Sequence, residues 1–478
     1  MKKLLVLSAI LSGIILSFQS NATAAGGVKP PQILLISGPV KVEGRQLMVD
    51  FDGNGVYEPY VIKGVGYSPY PIGRNVEDWG WPQGDPRIAN IFDDPTILNR
   101  DFGLLQAMYA NTIRLWKGND TQQLDGRFPV KLTTQTLNLA ESHGLKVIAG
   151  FWINTSGSVC TPGGIVYDVP DFANPTVRND YIDRFVAYVN MFKNHPAILF
   201  WAIGNENNLH LDPNNVTQIN AWYSLVNDMA REAHEAEGDT YHPVAVINGD
   251  LQYIGDPASG ATDSAMPYLD IWGANVYRGS SFGTLFNEYT AKSTKPLWIA
   301  EYGIDAWYSE SYINSPISQY RADLQDQWDR GLWDQITANK SVAIGATVME
   351  YSDEWWKPTS WVGDSSHNFA GTGPVDQNCP PDGIPDWYPP FPDHFINAEW
   401  FGLVSVAPNP PYGADLVTPR DVYYSLQNRF SCNEAALNYA SPDNGKSCDG
   451  TSACCSNSNY KAKNGACVVA CPKGWKKD

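Results

Sequence analysis

The chain has 478 residues and carries 33 Lys and Arg against 51 Asp and Glu, a formal net charge of −18. So acidic a surface repels phosphate backbones and anionic headgroups, which argues against nucleic acid and anionic membrane as partners and for a neutral ligand. The 17 Trp and 25 Tyr partly fill a core, and the remainder offer flat faces of the kind that stack on sugar rings.

At the start of the chain, Lys2-Lys3 precede an apolar run from Leu4 to Leu16 and then Ala22-Thr23-Ala24, a small-residue cleavage pattern. Residues 1–24 therefore read as a signal peptide. The run is short for a bilayer, no comparable stretch follows, and no Cys stands at the cleavage point to take a lipid. The expectation is a secreted protein, extracellular or periplasmic, with no membrane anchor.

Residues 25–60 come next. From Gln46 to Gly64 the pattern alternates around Asp52-Gly53-Asn54-Gly55, strong turn chemistry that predicts a short N-terminal β-hairpin. The same segment partly matches a calcium loop. Its twelfth position from Asp50 is Val61, where a bidentate Glu is needed, so a plain turn is the better reading.

Between residues 61 and 430, short apolar runs alternate with longer segments of helical period, as parallel strands joined by crossover helices require. The strand candidates are Val61 to Gly66, Asn111 to Trp116, Leu145 to Trp152, Ile198 to Gly204, Val244 to Ile247, Ile271 to Val276, Leu297 to Tyr302 and Val342 to Tyr351. Helical candidates include Thr133 to His143, Arg178 to Lys193, Val216 to Glu237, Ser318 to Asn339 and Pro419 to Phe430. Eight alternations over this length predict an α/β fold, a (β/α)8 TIM barrel, with an open doubly wound sheet as the alternative. The long connection from Ser352 to Thr418, rich in Trp, Pro, Gly and Asp, is placed to overhang the mouth.

Residues 431–478 change character, holding six of the eight Cys (Cys432, Cys448, Cys454, Cys455, Cys467 and Cys471). Export permits disulfides, and six cysteines allow 15 pairings among which the sequence does not choose. A small Cys-rich disulfide-stapled module is expected, a cap rather than a binding unit built on Tyr460 and Trp475.

Two carboxylates stand out. Glu206 follows the apolar strand Leu199 to Gly204, and Glu301 follows Leu297-Trp298-Ile299-Ala300. A carboxylate directly after a buried strand must be paired or functional, because burying it alone is costly. Retaining glycoside cleavage uses two such groups about 5 Å apart, one to protonate the leaving oxygen and one to attack the anomeric carbon. Asn205, next to the first, is placed to hydrogen-bond a sugar hydroxyl.

The segment Trp201-x-x-Gly-Asn-Glu206, followed 95 residues later by Glu301-Tyr-Gly, resembles clan A of the glycoside hydrolases. Within it the chain is most similar to the barrel domain of family 2 β-glycosidases and, more distantly, to the fungal β-1,3-glucanosyltransferases. The resemblance implies Glu206 as acid/base and Glu301 as nucleophile. It places Arg114 of Asn111-Thr-Ile-Arg114 and Tyr277 of Ala274-Asn-Val-Tyr277 beside the nucleophile. It puts Trp355 or Trp356 under the sugar. The sequence departs from family 2 in carrying no large N-terminal sandwich domains, and from the fungal enzymes in its barrel cysteines.

Arg114 and Tyr277, beside Glu301, would stabilise its charge, while Glu206 in a less polar setting would keep its proton. The seven His are scattered without zinc spacing, so no metal and no cofactor is expected. Asp353-Glu354 reads as a solvated loop face. The function expected is a secreted retaining β-glycosidase acting on a β-linked oligo- or polysaccharide. A transglycosylase that passes the sugar to a second sugar, and a non-catalytic carbohydrate-binding protein on a barrel scaffold, are the alternatives.

Overall fold

Eight parallel strands close into a barrel in chain order: β1 (Ile62–Gly66), β2 (Thr112–Leu115), β3 (Lys146–Phe151), β4 (Ile198–Ile203), β5 (Val244–Gly249), β6 (Ile271–Asn275), β7 (Leu297–Tyr302) and β8 (Ala343–Val348). They are the eight runs read from the sequence, with ends shifted by at most three residues. The computed structural model describes residues 40–72 except 69, 94–118, 132–309 except 156, 162 and 163, 318–354, 390–409 except 395, 414–433, 460–463, 466–469 and 476–477. The expected signal peptide, Cys379 and most of the Cys-rich module lie outside these residues.

The barrel strands are largely apolar because both of their faces are covered. Phe200, Ala202, Ile148, Ala245, Ile247, Trp298, Ala300 and Ile344 form one buried cluster. Their strand neighbours Trp201, Ile203, Val147, Ala149, Val246, Leu297 and Ile299 belong to another, shared with the helices. Alternation along each strand thus divides a packed lumen from the layer beneath the helices.

The helices are α1 (Pro95–Ala107), α2 (Thr134–Ser142), α3 (Pro175–Phe192), α4 (Val216–Glu237), α5 (Leu285–Thr290), α6 (Ala322–Ala338) and α7 (Asp421–Phe430). Their starts are written locally: Asp94, Asn174 and Asn215 cap α1, α3 and α4 with side-chain oxygens, and Pro95 and Pro175 occupy first-turn positions. Between β5 and β6 the chain makes consecutive turns with no helix. The helix expected from Ser318 begins only at Ala322, because Ser318–Tyr320 pairs antiparallel with Trp307–Ser309. A pairing partner outside the segment overrides its helical period.

Ahead of the barrel stands a three-stranded sheet rather than a single hairpin. Gln46–Val49 pairs with both Val40–Glu43 and Glu58–Pro59. The Asp52-Gly53-Asn54-Gly55 turn closes on Asp50, whose carboxylate accepts the backbone N–H of Asn54 and of Gly55 at 3.2 and 2.7 Å. Val40, Leu47, Val49 and Tyr60 pack into the same cluster as the lumen residues, so this sheet is part of the barrel's core.

After β8, described residues of the long connection form a short 3-10 turn (Ala398–Trp400) and a hairpin of Val404–Ala407 with Leu416–Pro419. Arg420 then reaches back to Asp353 in a buried, two-armed ion pair, both arms 2.6 Å. Asp353 and Glu354, read from sequence as a solvated face, are buried. The Arg420 partner lies 67 positions away, and no local pattern announces it.

Candidate active site

Glu301 ends β7 on the barrel's mouth. Strict alternation would send it outward with Leu297 and Ile299, but a register shift between the residues paired with Ala274 and Asn275 inserts one extra residue at Ala300. A bulge of this kind re-aims the next side chain. Glu301 consequently faces the mouth, and Tyr302 returns to the outer cluster.

There the Glu301 carboxylate is held by three donors from two strand ends, those of β2 and β6. Arg114 Nη1 donates to Oε1 at 2.6 Å, Trp116 Nε1 to the same oxygen at 2.8 Å, and the Tyr277 hydroxyl to Oε2 at 2.7 Å. Burial first, and then the charge of Glu301, its hydrogen bond and the charge of Glu206, push the Tyr277 phenol well above its ordinary range. It therefore stays a donor, and both carboxylates lie close enough to act on it.

Arg114 is fully buried, and both of its terminal nitrogens are paired. Besides Glu301, it donates to the Ala300 carbonyl at 2.9 Å and to Asn205 Oδ1 at 2.6 Å. The Trp116 and Trp298 rings flank its guanidinium at 4.6 and 5.6 Å, a geometry suited to Arg rather than Lys. Asn275 Nδ2 also donates to Asn205 Oδ1, at 3.1 Å. With two donors fixing that oxygen, the Asn205 amide is oriented with its NH2 turned away from them, free to donate to a ligand.

Glu206 follows β4 through two left-handed residues. Gly204 has φ +67, and a Cβ there would lie 2.1 Å from Asn207 Oδ1, so only glycine fits. Glu206 itself has φ 55 and ψ 21, a conformation that costs a non-glycine residue about 1–2 kcal/mol. Its backbone N–H donates to the Ile247 carbonyl at 3.0 Å, and a 3-10 turn, Asn207–His210, continues from it.

The mouth thus brings together Glu206, Glu301, Asn205, Arg114 and Tyr277. Trp355 and Trp356 lie outside the described residues. Sequence reasoning missed Trp116 and Asn275. Trp116 stands two positions after Arg114 and so shares its face of the strand, a signal that was available. Trp201 of the Glu206 motif points the other way: its Nε1 donates to buried Glu237 at 2.9 Å, making it a packing residue.

Residues 92–369 match the model of the glycosyl hydrolases family 2 TIM barrel domain. The β-glucuronidase of Homo sapiens is 23% identical over 296 residues, covering 58% of this chain and 38% of that protein. The chain therefore spans well under half of the length of that relative. The 1,3-beta-glucanosyltransferase gas5 of Schizosaccharomyces pombe is 20% identical over 431 residues, covering 84% of this chain and 74% of that protein. Among solved structures, a GH2 beta-galacturonidase from Eisenbergiella tayi bound to galacturonate aligns with 15% identity and a TM-score of 0.48, over 82% of this chain and 54% of that one. Gas2p of Saccharomyces cerevisiae in complex with laminaripentaose aligns with 17% identity and a TM-score of 0.44, over 82% of this chain and 69% of that one. With its family model covering more than half of the sequence and a closed eight-stranded barrel carrying it, the chain belongs to glycosyl hydrolase family 2 through its TIM-barrel domain.

Proposed function

We propose that this protein is a secreted retaining β-glycosidase working by double displacement. A Glu301 oxygen attacks the anomeric carbon of a β-linked sugar as the glycosidic C–O bond breaks, and the departing oxygen takes the proton of Glu206. Glu206 then accepts a proton from the incoming hydroxyl whose oxygen displaces Glu301. The observation that carries this reading is the grip on Glu301. Three donors converge on one carboxylate and stabilise its charge, and among the described residues Oε2 receives only Tyr277, which leaves it a lone pair for the sugar. Asn205 has its NH2 free for a sugar hydroxyl, an interaction that strengthens as positive charge develops on the ring. The acidic balance of the chain favours a neutral glycan over a uronide.

A second reading is supported by the glucanosyltransferase relative, which aligns along most of both chains. In it the incoming hydroxyl belongs to another sugar. Incubation with laminari-oligosaccharides distinguishes the two, since transfer yields products longer than the substrate and hydrolysis yields shorter ones only.

The roles of the two carboxylates are tested by azide. Glu301→Ala abolishes turnover by several orders of magnitude, and azide restores it with inverted product. Glu206→Ala keeps a fast first step on aryl glycosides with acidic phenols, and any azide adduct it forms retains configuration. The opposite stereochemistry in both variants exchanges the roles. Undiminished activity in both overturns the reading.

A further inference from the structure

Glu206 sits in a left-handed conformation and is followed by two buried asparagines, Asn207 and Asn208. Asn207 is tied to the end of β3. Its Oδ1 accepts the Asn205 N–H at 3.0 Å, and its Nδ2 donates to the Ile153 carbonyl at 2.8 Å and to Thr155 Oγ1 at 3.0 Å. Asn208 is tied to the end of β5. Its Oδ1 accepts the Gly249 N–H at 2.8 Å, and its Nδ2 donates to the Gly249 carbonyl at 3.1 Å and to Gln252 Oε1 at 3.3 Å. Each amide uses its oxygen and both N–H groups, and the two residues are 1% and 0% exposed.

The two amides do different jobs. Asn208 pairs with both backbone groups of Gly249 as another strand would, extending the β4–β5 contact past the point where β4 ends. Asn207 folds back on Asn205 and fills the space that Gly204 leaves open. The Thr155 hydroxyl it touches lies 2.6 Å from His210 Nδ1, at the far end of the same 3-10 turn. The turn that carries Glu206 is therefore fixed to strand ends on both flanks, by side chains that do not themselves face a sugar.

We propose that Asn207 and Asn208 are positioning residues for Glu206, holding its left-handed backbone so that the carboxyl reaches the leaving-group oxygen. This rests on the reading of Glu206 as the acid/base. Loosening either amide displaces the proton donor, whereas the three donors that hold Glu301, Arg114, Trp116 and Tyr277, make no hydrogen bond to either amide. The resulting defect is selective: it grows with the need of the leaving group for a proton.

The test compares 2,4-dinitrophenyl and phenyl β-glycosides of whichever sugar, among glucose, galactose and glucuronic acid, the wild type hydrolyses fastest. Competent protein is counted by mass after trapping with the 2,4-dinitrophenyl 2-deoxy-2-fluoro glycoside of that sugar. Per competent site, Asn207→Ser and Asn208→Ala should lose about 10- to 100-fold in kcat/KM on the phenyl glycoside and under about threefold on the dinitrophenyl one. Thr155→Val, which removes one acceptor from Asn207, should show the same selectivity on a smaller scale and keeps the test open where truncating an amide prevents folding. Equal losses on both substrates, or none on the phenyl glycoside, overturn the proposal. Glu206→Ala, run alongside, should lose about a thousandfold on the phenyl glycoside only. If it shows no such selectivity, or the wild type cleaves none of the three sugars, the reading of Glu206 itself fails and the proposal with it.

Discussion

At the scale of single residues, Trp116 and Tyr277 have separable tasks. Trp116→Phe keeps a ring beside the Arg114 guanidinium and removes only the N–H that reaches Glu301 Oε1. A hydrogen bond to a charged group is worth about 1.5–3 kcal/mol. The expected result is a loss of roughly 10- to 100-fold in kcat/KM with thermal stability little changed. Tyr277→Phe removes the donor on the other oxygen, and kcat/KM should likewise fall by roughly 10- to 100-fold. An unchanged kcat/KM would show that this hydroxyl does not serve the charged form. Glu206 and Glu301 were legible because each carboxylate follows a buried apolar run that burial alone does not explain, and Asn205 because it adjoins Glu206, whereas Arg114 and Tyr277 were implied by the resemblance to clan A of the glycoside hydrolases. Trp116 carried a signal in its spacing from Arg114, but a Trp on a strand also reads as core. The bulge at Ala300 was hidden more thoroughly, because it depends on how β6 and β7 pair and leaves no trace in the β7 sequence.

Elements were read more securely than their joints. Largely apolar runs of four to six residues identify buried parallel strands whatever their neighbours, whereas the Arg420–Asp353 pair joins segments far apart in the chain and the Trp307–Ser309 hairpin pairs across a connection that carries no turn signal the reading used. Those joints can be tested. Asp353→Asn leaves the Arg420 charge buried and should cost about 3–5 kcal/mol in urea unfolding. A second joint is pH-dependent. His195 turns the chain from α3 into β4, with Nδ1 accepting the Ala197 N–H at 3.2 Å and Nε2 facing Asn138 Oδ1 at 3.0 Å. That arrangement needs a neutral ring. Burial, and then the charge of Lys146, push its pKa down from 6.5 to about 4. Between those values the unfolded chain binds more protons, so the contribution is fully present above pH 6.5 and is lost as pH falls toward 4. Because the ring is partly exposed, a loss of about 1–2 kcal/mol is expected over that window. His195→Gln should flatten that slope in unfolding measured at pH 7 and pH 4.5.

For the whole molecule, the boundaries suggested by composition and those suggested by packing disagree at one end. Residues 25–60 read as a segment ahead of the barrel, yet Val40, Leu47, Val49 and Tyr60 share a cluster with lumen residues of seven barrel strands. At the other end, α7 already covers the barrel. Phe430 meets Trp333 of α6 edge-on at 4.7 Å, and its carbonyl accepts from Lys63 Nζ of β1. The two ends should therefore respond oppositely to damage. Leu47→Ala removes a side chain that is 1% exposed and should cost about 2–5 kcal/mol, with the higher end expected if the cavity cannot collapse. Deleting residues 434–478 should leave the barrel's unfolding midpoint within a few degrees of the intact chain and preserve turnover of an aryl glycoside. The comparison is made by thermal unfolding of the two variants and the wild type under one set of conditions. A barrel that tolerates Leu47→Ala but melts without its tail would reverse this assignment, making the Cys-rich module the structural element and the N-terminal sheet the accessory one.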